Sequence, residues 1–224
     1  TLSSWSYSDP NITQLSDGGF AVSWTSADAF AFAVHCQVFN SDGTKRGDEF
    51  RVNDTQPGSQ KKSRICNLND SGFVICWNHS GLGGENARID AQIFEYDGTP
   101  RTQEFIVSTN TSSESNLHVA SDKCNGFATC WKGLPGDQGK SKIITKLFDI
   151  SGNEINSELQ VNAYSEGWQE DPDICELTGG GYIICWSEHK NTNPRGAIWG
   201  QFILANGEKK GPEFMIASRQ YHGY

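Results

Sequence analysis

Residues 15–24 read LSDGGFAVSW. A turn-forming Ser-Asp-Gly-Gly run gives way to Phe20, Val22 and Trp24 alternating with Ala21 and Ser23. That period of two, carried by β-branched and aromatic residues, marks a strand leaving a hairpin. The phrase returns three times, as GFVICW ending at Trp77, GFATCW ending at Trp131 and GYIICW ending at Trp186, so the tryptophans lie 53, 54 and 55 residues apart. Downstream of each comes a turn glycine (Gly43, Gly98, Gly152, Gly207) and then a second apolar run, EFRV, EFIV, ELQV or EFMI. Self-similarity at a fixed period is the signature of a repeat architecture, and the 224 residues hold four such units with little left over.

Each repeat reads as four short strands. Strand A surrounds Ile12, Ile65, Val119 or Ile174, and strand B carries the tryptophan. Strand C is VHCQVF, IDAQIF, IITKLF or IWGQFI, and strand D begins at Phe50, Phe105, Leu159 or Phe214. Strand A lies 12 residues before the tryptophan in every repeat, and strand C ends 11 residues before strand D. The B–C and D–A connections vary in length and are more polar. One end of each unit is thus fixed by hairpin geometry, with glycine supplying positive φ at the turns. The other end is free to vary, as binding loops over a rigid scaffold are. Repeats of four antiparallel strands predict an all-β, four-bladed propeller. Its blades fall at about 1–53, 54–108, 109–162 and 163–217, with 218–224 a tail or the start of a further repeat. The alternative is part of a larger propeller, or a half-ring that pairs with a second copy.

The pattern LSDGGFAVSW followed by CQVFNSDGTKRGDEFRVND resembles the roughly 50-residue repeats of large secreted and surface adhesin-like proteins, often associated with haemolysin-type (RTX) proteins. The resemblance covers all four repeats. It implies an extracellular or cell-surface adhesion or display module. The cysteines depart from that cysteine-poor pattern.

Composition narrows the partners. With 36% hydrophobic and 11% aromatic residues the chain is too apolar for disorder, and no run reaches the ~20 apolar residues of a membrane helix. A net charge of −9 argues against nucleic acid or an anionic membrane as the default partner. No initiator methionine or signal peptide is present, which reads as a processed or excised chain.

The seven cysteines include two pairs ten residues apart, Cys66 with Cys76 and Cys175 with Cys185. If Asp70-Ser71-Gly72 forms the hairpin tip, each pair faces across strands A and B. That predicts two disulfides and an oxidising compartment; the alternative is buried, reduced thiols. Of five Asn-x-Ser/Thr sequons, Asn78 and Asn110 fall in loops of the variable end and are the candidate glycosylation sites.

No catalytic constellation is visible. The five histidines show no HExxH spacing, and there is no Gly-x-Ser-x-Gly elbow. Glu49, Glu104, Glu158 and Glu213 each precede strand D, a recurrence that favours a structural role over a repeated binding site. Strand A starts are the more informative, because propeller A strands line the channel. Asp9, Asn116, Asp171 and Asp173 offer hard oxygen ligands suited to Ca2+, against a solvated or salt-bridged channel. Trp5, Trp168, Asp171 and His118 are the candidate ligand-binding residues, the tryptophans as plates for a sugar ring or as wedges between blades. The leading expectation is therefore no enzyme: a lectin-like binding module engaging glycan or protein, with no cofactor beyond a channel Ca2+. The alternatives are a structural repeat unit of a larger assembly, or a glycosidase-like enzyme.

Overall fold

The computed structural model describes residues 7–27, 31–54, 58–69, 72–81, 87–109, 111, 115–122, 126–133, 141–163, 167–190 and 196–218. These form sixteen strands and, among the described residues, no helix. Repeat 1 holds β1 (Tyr7–Gln14), β2 (Phe20–Ala27), β3 (Phe32–Phe39) and β4 (Lys45–Arg51). Repeat 2 holds β5 (Ser59–Asn67), β6 (Phe73–Ser80), β7 (Arg88–Phe94) and β8 (Phe105–Ser108). Repeat 3 holds β9 (His118–Asp122), β10 (Gly126–Gly133), β11 (Lys142–Asp149) and β12 (Leu159–Gln160). Repeat 4 holds β13 (Trp168–Glu176), β14 (Tyr182–His189), β15 (Gly196–Ile203) and β16 (Lys209–Ser218). Each repeat is an antiparallel meander in sequence order.

The four-bladed ring is met only in part. The all-β meanders are present, but among the described residues no sheet closes on itself. The chain divides into two compact units, Thr1–Ser113 with Ile150–Gly152, and Glu114–Asp149 with Asn153–Tyr224. In the first unit a single parallel bridge, Phe32 to Ser59, links the first two meanders into an eight-stranded sheet.

Each core is a layer between two consecutive meanders. In the first unit Val34, Cys36, Val38 and Val52 of repeat 1 meet Ile65, Phe73, Ile75 and Trp77 of repeat 2. In the second, Ile143, Leu147 and Val161 of repeat 3 meet Tyr182, Ile184 and Trp186 of repeat 4. In β6, β7, β10 and β11 the period-2 alternation of the sequence thus becomes strand buried on both faces. Full burial of each large apolar side chain contributes about 1.5–3 kcal/mol. The recurring glutamine of strand C is absorbed into this layer. The buried amides of Gln37, Gln92 and Gln201 donate to the backbone carbonyls of Gly47, Thr102 and Gly211 on the way to strand D.

The A–B hairpins correct the cysteine expectation. Leu15 N donates to Gly19 O at 2.9 Å and Leu68 N to Gly72 O at 2.8 Å, so the three-residue tip lies one position earlier than the sequence predicts. The register therefore slips by two: Cys66 faces Val74, Arg64 faces Cys76, Cys175 faces Ile183, and Asp173 faces Cys185. Neither expected disulfide forms: Cys76, Cys175 and Cys185 are free thiols, as are Cys36 and Cys130. Burial pushes the Cys36, Cys76 and Cys130 thiols up, away from the reactive thiolate. The glycosylation expectation at Asn78 is also corrected. The residue sits inside β6, paired with Ile89, and is buried, so its amide is not offered to solvent. Asn110 lies outside the described residues.

Candidate functional site

Strand A of every repeat begins with the same backbone irregularity. Asp9, Lys62, Asn116 and Asp171 occupy one repeat position, and all four have positive φ, at 54°, 54°, 48° and 48°. The ladders of β1, β5 and β13 each skip a step there. A left-handed residue that is not glycine costs on the order of 1 kcal/mol, and such strain concentrates where a fold aims side chains for use. Asp and Asn tolerate it best, and three of the four positions carry them.

The two units use this bulge differently. In the first, polar side chains of β1 serve the neighbouring backbone. Asn11 Oδ1 accepts from Ile65 N at 2.9 Å, and Thr13 Oγ1 accepts from Asn67 N at 3.1 Å. Asp9 takes the Ser8 hydroxyl at 3.0 Å. In the second, side chains meet side chains. Asn116 Nδ2 donates to Asp171 Oδ1 at 2.8 Å, and His118 Nδ1 lies 3.0 Å from Asp173 Oδ1. Along β13 the exposed Asp171 and Asp173 alternate with buried Pro172 and Ile174, so the two carboxylates share the solvent side of an edge strand. Trp168, three residues before Asp171 on that strand, is 50% exposed, and Lys132 Nζ reaches Glu170 Oε1 at 3.4 Å.

Of the predicted ligand-binding residues, Trp168 and Asp171 are exposed on β13 and His118 begins β9, all in the second unit, and Trp5 lies outside the described residues. Of the predicted Ca2+ set, Asp9 belongs to the first unit and Asn116, Asp171 and Asp173 to the second; among the described residues there is no group of three or more His, Cys, Asp or Glu side chains that could hold a metal ion.

Two buried polar clusters escaped the sequence reading. In repeat 2 the fully buried Asp90 accepts from Arg88 Nε at 2.8 and 2.9 Å and sits 3.3 Å from His79 Nδ1. Burial, with Asp90 and Asp54 close by, pushes the Glu104 carboxyl above its ordinary range. In repeat 4 the buried Glu188 accepts from Trp199 Nε1 at 3.0 Å and Gln169 Nε2 at 3.3 Å, and pairs with Lys190 at 3.3 Å. The signal was present: His79 and Glu188 hold the same repeat position, two residues after the core tryptophan. The recurring glutamates do act structurally where their partners are described. Glu104 Oε2 accepts from Asp54 N at 3.0 Å and Glu213 Oε2 from Ala163 N at 2.7 Å, each pinning the segment that follows the preceding repeat's strand D.

The sequence matches no family model and no curated protein. Solved structures do share the fold. An endo-arabinase from Bacteroides thetaiotaomicron matches over 94% of this chain and 81% of its own, at 14% identity and a TM-score of 0.50. An N-acetylgalactosamine deacetylase from F. plautii, in complex with blood group B trisaccharide, matches over 93% and 68%, at 11% identity and a TM-score of 0.51. An endo-1,5-alpha-L-arabinanase from Thermotoga petrophila matches over 94% and 59%, at 12% identity and a TM-score of 0.50. The expectations of no enzyme, and of a non-enzymatic adhesion or structural module, are corrected by this likeness, which runs to enzymes that act on carbohydrates. Those expectations rested on missing local motifs, whereas strand A residues come together from positions more than fifty apart and leave no local motif to find. At these identities the likeness establishes a β-propeller-type fold for this chain.

Proposed function

We propose that this protein is a glycosidase-like enzyme whose working residues lie at the start of the A strands of repeats 3 and 4. The observation that carries the reading is the pair of exposed carboxylates on β13, Asp171 and Asp173, each with a directed side-chain partner, Asn116 and His118. Hydrolysis of a glycosidic bond needs one group to protonate the departing oxygen and a second carboxylate to act on the sugar carbon or on the attacking water. Asp173, held 3.0 Å from His118 Nδ1, is placed for the first task. Asp171, oriented by the Asn116 amide, supplies the second. Trp168 offers an exposed aromatic plate for a sugar ring on the same strand. Likeness to an arabinase and an arabinanase supports a polysaccharide of that kind as substrate. In this reading the four meanders are four propeller blades.

The test is turnover of arabinan, xylan and a panel of aryl glycosides by the purified chain. Asp171→Asn and Asp173→Asn should each lower kcat/KM by about 10²–10⁴-fold with an unchanged circular dichroism spectrum. Trp168→Ala should raise KM more than it lowers kcat. Absence of turnover on every substrate by the folded protein, or turnover that survives both Asp substitutions, overturns the assignment.

A further inference from the structure

Gln169 lies two residues before Asp171 on β13 and is buried, with exposed Trp168 just before it and half-buried Glu170 just after. Both polar atoms of its side chain are engaged. Oε1 accepts from the Trp186 indole N–H at 2.8 Å, and Nε2 donates to Gly167 O at 3.2 Å and to Glu188 Oε1 at 3.3 Å. Its main chain is tied to repeat 3 as well. Gln169 N donates to Ser141 Oγ at 3.1 Å, and Ser141 Oγ donates to Gln169 O at 2.7 Å, with Ser141 itself buried. Buried amides and hydroxyls satisfied in this way are costly to break, because each loss leaves a partner without water to replace it.

Beyond Gln169 the strand is pinned at two more points. Glu170 O accepts from Ser187 Oγ at 3.1 Å, and pairing with β14 resumes at Asp173, opposite Cys185. Between these points lie Asp171, at a φ of 48°, and Pro172, which has no N–H to give the ladder. Left-handed backbone at a residue other than glycine persists only where its surroundings over-determine it. Without the clamp the chain can relax towards extended backbone and swing the Asp171 carboxylate away from Asn116 Nδ2, 2.8 Å from it. Repeat 2 holds the same device without the carboxylate. The buried Gln60 lies two residues before the left-handed Lys62; its Oε1 accepts from Asn53 Nδ2 at 3.2 Å, and its Nε2 lies 3.5 Å from His79 Nδ1.

We infer that Gln169 is a positioning residue, whose buried amide fixes the bulge that aims Asp171 at the reacting sugar. It acts through the main chain, two residues away, and takes no part in the chemistry itself. The role given to Asp171 rests on the glycosidase reading; the clamp on its backbone rests on hydrogen bonds within the second unit alone. Gln169→Leu keeps much of the side-chain volume and removes all three side-chain bonds. Ser141→Ala cuts the main-chain tie to repeat 3 with little loss of volume. Gln60→Leu removes a buried amide at the same repeat position, beside a lysine in place of the carboxylate, and so matches the structural loss without touching the site.

The experiment takes two readouts on the full chain and these three variants. One is the carboxyl-carbon NMR resonance of Asp171, assigned by its loss in Asp171→Asn. The other is steady-state kinetics on whichever arabinan, xylan or aryl glycoside the parent turns over. Gln169→Leu and Ser141→Ala should both move the Asp171 resonance, whereas Gln60→Leu should leave it in place while lowering the thermal midpoint comparably. Gln169→Leu should lower kcat by about 10–10²-fold and raise KM by a smaller factor; Gln60→Leu should leave both unchanged. If Gln169→Leu does not fold, Ser141→Ala decides. An Asp171 resonance that stays in place in the folded variants, or moves as far in Gln60→Leu, overturns the inference. So does an undiminished kcat in Gln169→Leu of an active parent. A parent without turnover overturns the glycosidase reading instead, and the resonance comparison still decides whether Gln169 holds Asp171.

Discussion

At the scale of single residues, the recurring glycine before strand B serves a different purpose from the one its turn context implies. Gly72, Gly126 and Gly181 have positive φ, but Gly19 at the same position does not. What the four share is a close approach. A Cβ would stand 2.4, 2.0, 1.9 and 2.4 Å from the backbone carbonyls of Phe39, Phe94, Phe148 and Ile203. Strand B leaves its turn pressed against the end of strand C, and only a hydrogen fits. Gly19→Ala should therefore destabilise the protein by about 2–3 kcal/mol although its φ suits alanine. Gly179→Ala, with open space around it, should be close to neutral; thermal denaturation of the two variants checks the contrast. Glu104 carries a pH effect with a definite sign. Its folded-state carboxyl titrates above the ordinary 4.5 because burial disfavours the ionised form. The folded state then holds the proton more tightly than the unfolded state, so this group costs stability as pH rises past 4.5 and costs none below it. Glu104→Gln, which keeps an acceptor for Asp54 N, should gain stability relative to the parent as pH goes from 4 to 7. A stability difference that is flat or of opposite slope would refute the role of burial.

At the scale of the element, the four B strands look interchangeable in sequence, yet their tryptophans are not equivalent. Trp77, Trp131 and Trp186 are all buried, but among the described residues only the Trp186 indole N–H finds a partner, Gln169 Oε1 at 2.8 Å, and those of Trp77 and Trp131 find none. Replacing Trp77 by phenylalanine removes volume and relieves an unsatisfied donor. Replacing Trp186 removes similar volume and strands the buried Gln169 carbonyl. Trp186→Phe should accordingly cost about 1–3 kcal/mol more than Trp77→Phe, read from denaturant midpoints at constant m. The A–B hairpin makes a related point. Its existence follows from the turn residues, whereas its register depends on which glycine takes the close approach to strand C. A slip of two keeps every side chain on its own face but moves Cys66 from Cys76 to Val74. Alternation alone is therefore blind to it, and the expected disulfides turned on this one step.

At the scale of the whole molecule, the candidate site is put together by repeat stacking. Asn116 and Asp171 are 55 positions apart, one period, and the bulge that turns each into left-handed backbone recurs at four repeats. The expected loss of turnover in Asp171→Asn and Asp173→Asn, with the fold intact, belongs to this scale, because both side chains are exposed on an edge strand and support no core. The sequence by itself determined the period, the four meanders, the core tryptophans and the strand A positions where polar groups gather. These are consequences of local alternation and turn chemistry, which a linear pattern records. The hairpin register, the burial of Asn78 and Asp90, and the pairing of Asn116 with Asp171 and His118 with Asp173 come only from the tertiary structure. Each of those depends on which backbone or side chain comes to lie against it from a distant part of the chain, and spacing within one repeat carries no information about that.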